Sequence, residues 1–186
     1  MRIIGGECRG RAIRLPAGCR IRPTTDRVKG ALFNILGSVE NKSLLDLYAG
    51  CGNIGLEALS RGARRSTFVE RNPRLNKAVR ENLRLLGFEG RAEVIAADAV
   101  EEIGRLSKRG MRFDFLFADP PYEEGFLTTI VTHLEKAELL TESGIIILQH
   151  SVREPLERSV TESLSVSDQR RYGDTLLSFL IKHREE

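Results

Sequence analysis

The sequence predicts an α/β protein in which a mostly parallel sheet is covered by helices on both faces. Five short runs rich in Leu, Ile, Val and Phe, at 44–49, 66–70, 92–97, 113–118 and 144–149, read as buried strands. Amphipathic stretches alternate with them, at about 53–62, 73–87, 99–108, 125–138 and 152–162. A strand that is apolar on both faces needs helices above and below it, which is what the alternation supplies. The chain then closes with two strand-like runs, 165–172 and 175–182, parted by Gly173-Asp174 as in a hairpin.

Ahead of this alternation, residues 2–15 read as a short hairpin. Arg2-Ile-Ile leads into Gly5-Gly6, and the chain returns through Arg11-Ala-Ile-Arg-Leu15 to Pro16 and Gly18. Thr24 or Thr25 can cap a helix that runs to about Leu36, with Gly37 as its stop. A length of 186 residues suits one domain, 1–186, made of a basic hairpin arm (1–20) and a catalytic core (21–186). The composition, 41% hydrophobic and 30% charged, is that of a soluble globular protein. Runs such as Ile145–Leu148 are too short to cross a bilayer, and no apolar signal core opens the chain. A cytoplasmic protein is expected, and a monomer, since no long exposed apolar face stands out.

Cys8, Cys19 and Cys51 make an odd count without paired spacing, which argues against a disulfide framework or a zinc site; no metal is expected. Cys51 lies in a glycine loop, but no base accompanies it, so it reads as a small residue tolerated there. Charge is uneven. Residues 1–30 hold eight basic side chains (Arg2, Arg9, Arg11, Arg14, Arg20, Arg22, Arg27, Lys29) against Glu7 and Asp26, while the rest is slightly acidic. A basic end suits a polyanionic partner, and equally a solubilising surface.

Gly50-Cys-Gly-Asn-Ile-Gly55 fits G-x-G-x-x-G between a strand and a helix. Such a loop can serve NAD, FAD or S-adenosylmethionine. Glu70 ends the second strand, where a carboxylate accepts from ribose hydroxyls. Asp46, in the strand before the loop, would repel a pyrophosphate but favours the ammonium and sulfonium of S-adenosylmethionine. Asp98, at the end of the third strand, can accept from the adenine amino group. Each acid alone could be a helix cap or turn former; three at successive strand ends point to S-adenosylmethionine.

Phe113-Asp-Phe-Leu-Phe-Ala-Asp-Pro-Pro-Tyr122 is a buried strand entering a proline-stiffened turn. An aromatic exocyclic amine is a poor nucleophile because its lone pair is delocalised. The Asp119 carboxylate and the Pro120 carbonyl can accept its N–H groups and steer the lone pair. Pro120 and Pro121 hold φ near −65°, and Tyr122 can stack the base. The alternative is a loop that merely ends a strand.

The chain resembles the bacterial 16S ribosomal RNA guanine-N2 methyltransferases. The resemblance rests on Arg-Ile-Ile-Gly-Gly…Arg-Gly-Arg (2–11), Arg22-Pro-Thr-Thr-Asp-Arg27, Ala31-Leu-Phe-Asn-Ile-Leu36, Leu45-Asp-Leu-Tyr-Ala-Gly50, Gly55-Leu-Glu-Ala-Leu-Ser-Arg-Gly-Ala63, Val69-Glu70, Asp98, Asp119-Pro-Pro-Tyr122 and Tyr172-Gly-Asp-Thr175. It implies a Rossmann-like class I methyltransferase fold, seven-stranded, with an antiparallel last strand. It implies S-adenosylmethionine as donor, bound by Asp46, Tyr48, Gly50, Gly52, Glu70, Asp98, Ala99 and Asp119, with Arg22 and Thr24 nearby. The partner it implies is ribosomal RNA in the small subunit or an assembly intermediate, met by Arg2, Arg9, Arg11, Arg14 and Arg20. Two departures are Cys51-Gly-Asn53 in the loop and Gln149-His150 where an acidic residue is expected; His150 is given no role. Competing readings are an amino methyltransferase for DNA adenine or protein glutamine, an NAD-dependent dehydrogenase, and a non-catalytic RNA-binding module.

Overall fold

The structure, a computed structural model, describes residues 1–19, 24–122, 125–156 and 160–183. The chain divides into two compact units, 1–98 and 99–186.

The first unit holds α1 (Asp26–Leu36), β1 (Ser43–Leu47), α2 (Asn53–Ser60), β2 (Arg65–Val69), α3 (Pro73–Leu86) and β3 (Ala92–Ile95). Strands β1, β2 and β3 pair in parallel, in register from Ser43↔Arg65 to Leu47↔Val69 and from Ser66↔Ala92 to Val69↔Ile95. The helix ends follow from local chemistry. The Thr25 hydroxyl accepts from Val28 N at 3.3 Å to start α1, and Gly37, at φ 70°, ends it. Asn72 accepts from Arg74 N and Leu75 N ahead of Pro73 to start α3.

The expected hairpin at 2–15 forms as one antiparallel bridge, Arg2↔Ala12. It is tied by Ile3 N to Arg11 O (2.9 Å) and Ile13 N to Met1 O (3.0 Å). This segment is not a projecting arm: Ile3 and Ile13 are buried in one core with Cys51, Leu56, Phe68 and Val79. It is also fastened to α2. Glu57, fully buried, takes Ile4 N at 2.9 Å and pairs with Lys29 at 3.2 Å and Arg61 at 2.8 Å. Lys29 Nζ in turn donates to Arg2 O (2.6 Å) and Asn53 Oδ1 (2.8 Å). The buried ammonium and carboxylate are therefore both paired and hydrogen-bonded, the condition for tolerating charge in a core.

The second unit holds α4 (Ala99–Lys108), β4 (Phe113–Ala118), α5 (Phe126–Lys136), β5 (Leu140–Ser151), β6 (Leu164–Tyr172) and β7 (Thr175–Lys182). β4 and β5 are parallel, with a register shift between Phe113 and Phe115. β7 runs antiparallel to both β5 and β6. The strand order in the seven-stranded sheet is β3-β2-β1-β4-β5-β7-β6, so the sheet and its antiparallel last strand are as the sequence predicts.

The helix expected at 152–162 is absent among the described residues of that stretch. Residues 152–156 and 160–162 are turns, bends and irregular chain. Pro155 lacks a donor and crowds the preceding turn. Val152 N is committed to Asp174 O (3.1 Å), and Glu154 O approaches His150 Nδ1 at 2.8 Å. Among the described residues no helix is long and apolar enough to cross a membrane.

Candidate active site

Because β1, β2 and β3 run in parallel, the residues that follow them share one edge of the first unit's strands. Tyr48 follows β1, Glu70 follows β2 and Asp98 lies just beyond β3. Tyr48 breaks β1 by entering the left-handed region at φ 59°, an uncommon conformation for an aromatic residue. The glycine loop comes next. Gly50 and Gly52 adopt φ 59° and 88°, and Gly52 caps α2 without a side chain. At Gly55 an added Cβ would lie 2.2 Å from Phe68 Cε1, so only glycine lets α2 rest on β2 at this point.

Both acids beside the loop are engaged by it. Asp46, buried in β1, accepts from Gly55 N at 2.9 Å. Glu70 accepts from Gly50 N through Oε2 (2.9 Å) and from Asn72 N through Oε1 (2.7 Å). A carboxylate offers about four acceptor positions, so Glu70 keeps capacity for a ribose diol while it fixes the loop. Asp98 lies 3.6 Å from the guanidinium of Arg71. The Tyr48 hydroxyl is buried without a hydrogen-bond partner. Burial, helped by the charge of Asp98, pushes its pKa up to about 12, so at neutral pH it is a donor.

These residues fit S-adenosylmethionine better than a dinucleotide. A pyrophosphate needs the amides of a helix N-terminus, yet here Gly55 N is already bound to Asp46 and Leu56 N to Gly52 O. A phosphate would meet a buried carboxylate; a cationic amino acid moiety meets an attractive one. The orphaned Tyr48 hydroxyl and the two carboxylates suit a nucleoside rich in hydroxyl and amino groups. Burial pushes the Cys51 thiol up to about 11, so it stays protonated and packs as a small core residue.

In the second unit, the β4–β5 register sets Ala118 against Leu148, which brings the next residues on each strand together. Gln149 Nε2 donates to Asp119 Oδ2 at 2.8 Å. Pro120 is buried, Pro121 exposed and Tyr122 half-buried. His150, one residue on, is buried and points into the fold. Its Nε2 meets Ser178 Oγ at 2.7 Å and its Nδ1 faces Glu154 O. With a carbonyl against Nδ1, that nitrogen carries the proton and Nε2 accepts from Ser178. Burial lowers its pKa from the ordinary 6.5. It is structural, as the sequence suggests.

The remaining expected site residues fall as follows. Arg20 and Arg22 lie outside the described residues. Thr24 O accepts from Asn53 Nδ2 at 3.2 Å, tying it to the first turn of α2. Ala99 is buried at the start of α4. Arg9, Arg11 and Arg14 are exposed, while Arg2 pairs with Asp26 at 2.8 Å. Among the described residues no group of His, Cys, Asp and Glu could hold a metal ion. The residues that sequence reasoning missed are Gln149 as a partner of Asp119, Arg71 beside Asp98, and Asn82. Asn82 joins Cys51 O of the loop (3.2 Å) to the main chain of Arg14 (2.9 and 3.0 Å). For Gln149 the signal was its place at the end of the apolar run 144–149, as Asp119 follows the run 113–118.

Comparisons with known proteins identify the family and the fold. The family model described as "Conserved hypothetical protein 95" matches residues 1–181. YlbH of Bacillus subtilis, whose name proposes an rRNA methyltransferase, is 36% identical over 176 residues, 94% of this chain and 95% of its own. Ribosomal RNA small subunit methyltransferase D of Escherichia coli K12 is 36% identical over 157 residues, 84% of this chain and 77% of its own. Among solved structures, yhhF of Escherichia coli, named as a proposed methyltransferase, superposes with a TM-score of 0.87 at 29% identity, covering 100% of this chain and 99% of that one. A methyltransferase fold solved with S-adenosylhomocysteine, SMU.776, shares the fold at a TM-score of 0.65 and 14% identity, over 83% of this chain and 48% of its own. The fold is that of the Rossmann-like methyltransferases, and the chain belongs to the family that includes the small-subunit ribosomal RNA methyltransferases.

Proposed function

We propose that this protein transfers a methyl group from S-adenosylmethionine to the exocyclic N2 of a guanine in 16S ribosomal RNA. The observation that carries the reading is Asp119 at the end of β4, its Oδ2 held by Gln149 at 2.8 Å and its successors stiffened by Pro120 and Pro121. The relatives' names support an RNA substrate in the small subunit.

When bound, S-adenosylmethionine supplies a methyl group made electrophilic by a sulfonium. Glu70 would accept from the ribose hydroxyls and Asp98 from the adenine amino group, Tyr48 would donate its hydroxyl, and Asp46 with the glycine loop would hold the amino acid moiety. Arg22, Thr24 and Ala99 are assigned to cofactor binding on the family resemblance alone. The Asp119 carboxylate and the Pro120 carbonyl accept the two N–H groups of the guanine amine, which turns the nitrogen lone pair out of conjugation. Tyr122 stacks on the base. On transfer the amine nitrogen would have a proton to lose, and the Asp119 carboxylate would be the group that takes it. Most of the gain is positional. Arg2, Arg9, Arg11, Arg14 and Arg20 contact RNA phosphates. The two units act as one methyltransferase domain, a cytoplasmic monomer that meets the small subunit or an assembly intermediate.

The test is transfer from labelled S-adenosylmethionine to naked 16S rRNA, small subunits, DNA and protein, followed by digestion and identification of the product. N2-methylguanosine from RNA is expected. Label in N6-methyladenine of DNA or in protein glutamine, with none in RNA, would overturn the reading.

A further inference from the structure

We propose that α3 and the segment docked along it, residues 8–17, form a single basic strip that grips the RNA backbone, with the helix cations Arg74, Lys77 and Arg84 contributing as much as the N-terminal arginines. This rests on the RNA reading above and extends the RNA-binding surface to a helix of the catalytic core.

The strip is built by hydrogen bonds within the first unit. The segment runs antiparallel to α3: Cys8 Sγ approaches Leu86 O (3.8 Å), Arg11 donates to Leu85 O (3.0 Å), the Arg14 main chain is clasped by Asn82 (2.9 and 3.0 Å), and Arg74 reaches Ala17 O. These bonds fall on one side of α3. Its next face turns to solvent, because Arg74, Lys77, Glu81 and Arg84 recur at helical spacing, and the three cations are exposed. Arg9, Arg11 and Arg14 are exposed alongside them. Six cations thus border a helix about 20 Å long. The acid on the same face, Glu81, is 3.9 Å from Lys77, and Glu7, on the segment's near side, is held by Arg91 at 2.6 Å.

Two features favour a polyphosphate over a merely solvated face. The cations form a line with one acid among them, rather than the alternating signs of a solubilising helix. Arg11 and Arg74 each use one N–H on a main-chain carbonyl, which fixes the guanidinium in place. A guanidinium has five N–H donors, so its exposed side can still meet phosphate oxygens with less ordering cost on binding.

The experiment compares the parent with Lys77→Ala/Arg84→Ala, which leaves the main-chain hydrogen bonds that dock the segment in place, and with Arg74→Ala as a second variant. Binding to a 16S rRNA transcript is followed by filter retention across a salt series, with S-adenosylmethionine affinity measured by calorimetry. The double variant is expected to bind RNA at least about ten-fold more weakly, and the slope of log K against log salt to flatten by about 0.7 for each phosphate that is no longer neutralised. Cofactor affinity is expected to stay at the parent value. Parental RNA affinity and slope in both variants would overturn the strip while leaving the guanine reading intact. A parent that neither binds nor methylates RNA would overturn both.

Discussion

Gln149 and Asp119 form a hydrogen-bonded pair across neighbouring parallel strands, Nε2 to Oδ2 at 2.8 Å, with Gln149 itself only 3% exposed. The pair exists because Ala118, the last residue of β4, lies in register with Leu148 of β5, so the residues that follow them are neighbours. A charge-assisted bond to a carboxylate holds it in one orientation. That is what a group must have if it is to accept from a substrate amine at a set angle.

Asp119→Ala should leave S-adenosylmethionine binding largely intact and lower turnover by about 10²-fold or more, the scale on which positioning and electrostatic stabilisation act. Single-turnover kinetics with saturating cofactor measures this. Unchanged turnover would remove Asp119 from the chemistry.

Gln149→Leu should lower kcat by about 10-fold to 10²-fold, since a hydrogen bond to a charged group contributes roughly 1.5–3 kcal/mol. Gln149→Glu is the sharper probe. A second carboxylate beside Asp119 favours protonation of the pair, so the acid limb of the pH–rate profile should move to higher pH. A profile that keeps its shape would show that Gln149 packs against Asp119 without orienting it.

Glu70→Gln replaces one acceptor oxygen with a donor that faces a backbone N–H, either Gly50 or Asn72. Cofactor affinity should fall by about ten-fold or more, as for a buried group left without its partner, while RNA affinity is unaffected. Calorimetry separates the two, and equal cofactor affinity would sink the assignment.

Gly55→Ala places a methyl against the Phe68 ring. Overpacking should cost about 1–3 kcal/mol, seen as a lower urea midpoint. Combining it with Phe68→Leu should recover part of the loss; if the pair is simply additive, the clash is not the cause.

His150 gives stability a pH dependence. Its folded pKa lies below the ordinary 6.5 because burial disfavours the imidazolium, so the unfolded chain binds its proton first. The contribution is complete above about pH 6.5 and is lost as pH falls through that value toward the folded pKa. The melting temperature should fall over that window, and His150→Gln should flatten the fall whatever its effect at neutral pH. Parallel curves for the two proteins would refute it.

Apolar runs located the strands, most plainly β1, β4 and β7, which are buried over most of their length, and Gly37 marked the end of α1 by its own conformational rule. Periodicity failed at 152–162, where Pro155 and the pairing of Val152 with Asp174 outweigh an apolar pattern. The acids at the strand ends were legible, since their positions follow from strand length alone. Their bonds to the loop were not: Asp46 and Glu70 accept from the loop's own amides, and those partners are set by the tertiary path of the glycines. The inward half of the N-terminal segment was equally hidden, because Ile3 and Ile13 meet their neighbours in α2 and α3 only once the chain has folded back.

That segment has two sides with separate duties. Its isoleucines and its Glu57 anchor belong to the interior, and its guanidiniums belong to solvent. The side chains of Arg9 and Arg14 can therefore be exchanged with the buried side of the segment untouched. Deleting the segment would instead strip the cover from Glu57 and Lys29 and leave their charges without main-chain partners, while a one-residue insertion would exchange inward for outward positions. The tolerant mutational route in this region is substitution, and length is the constrained variable.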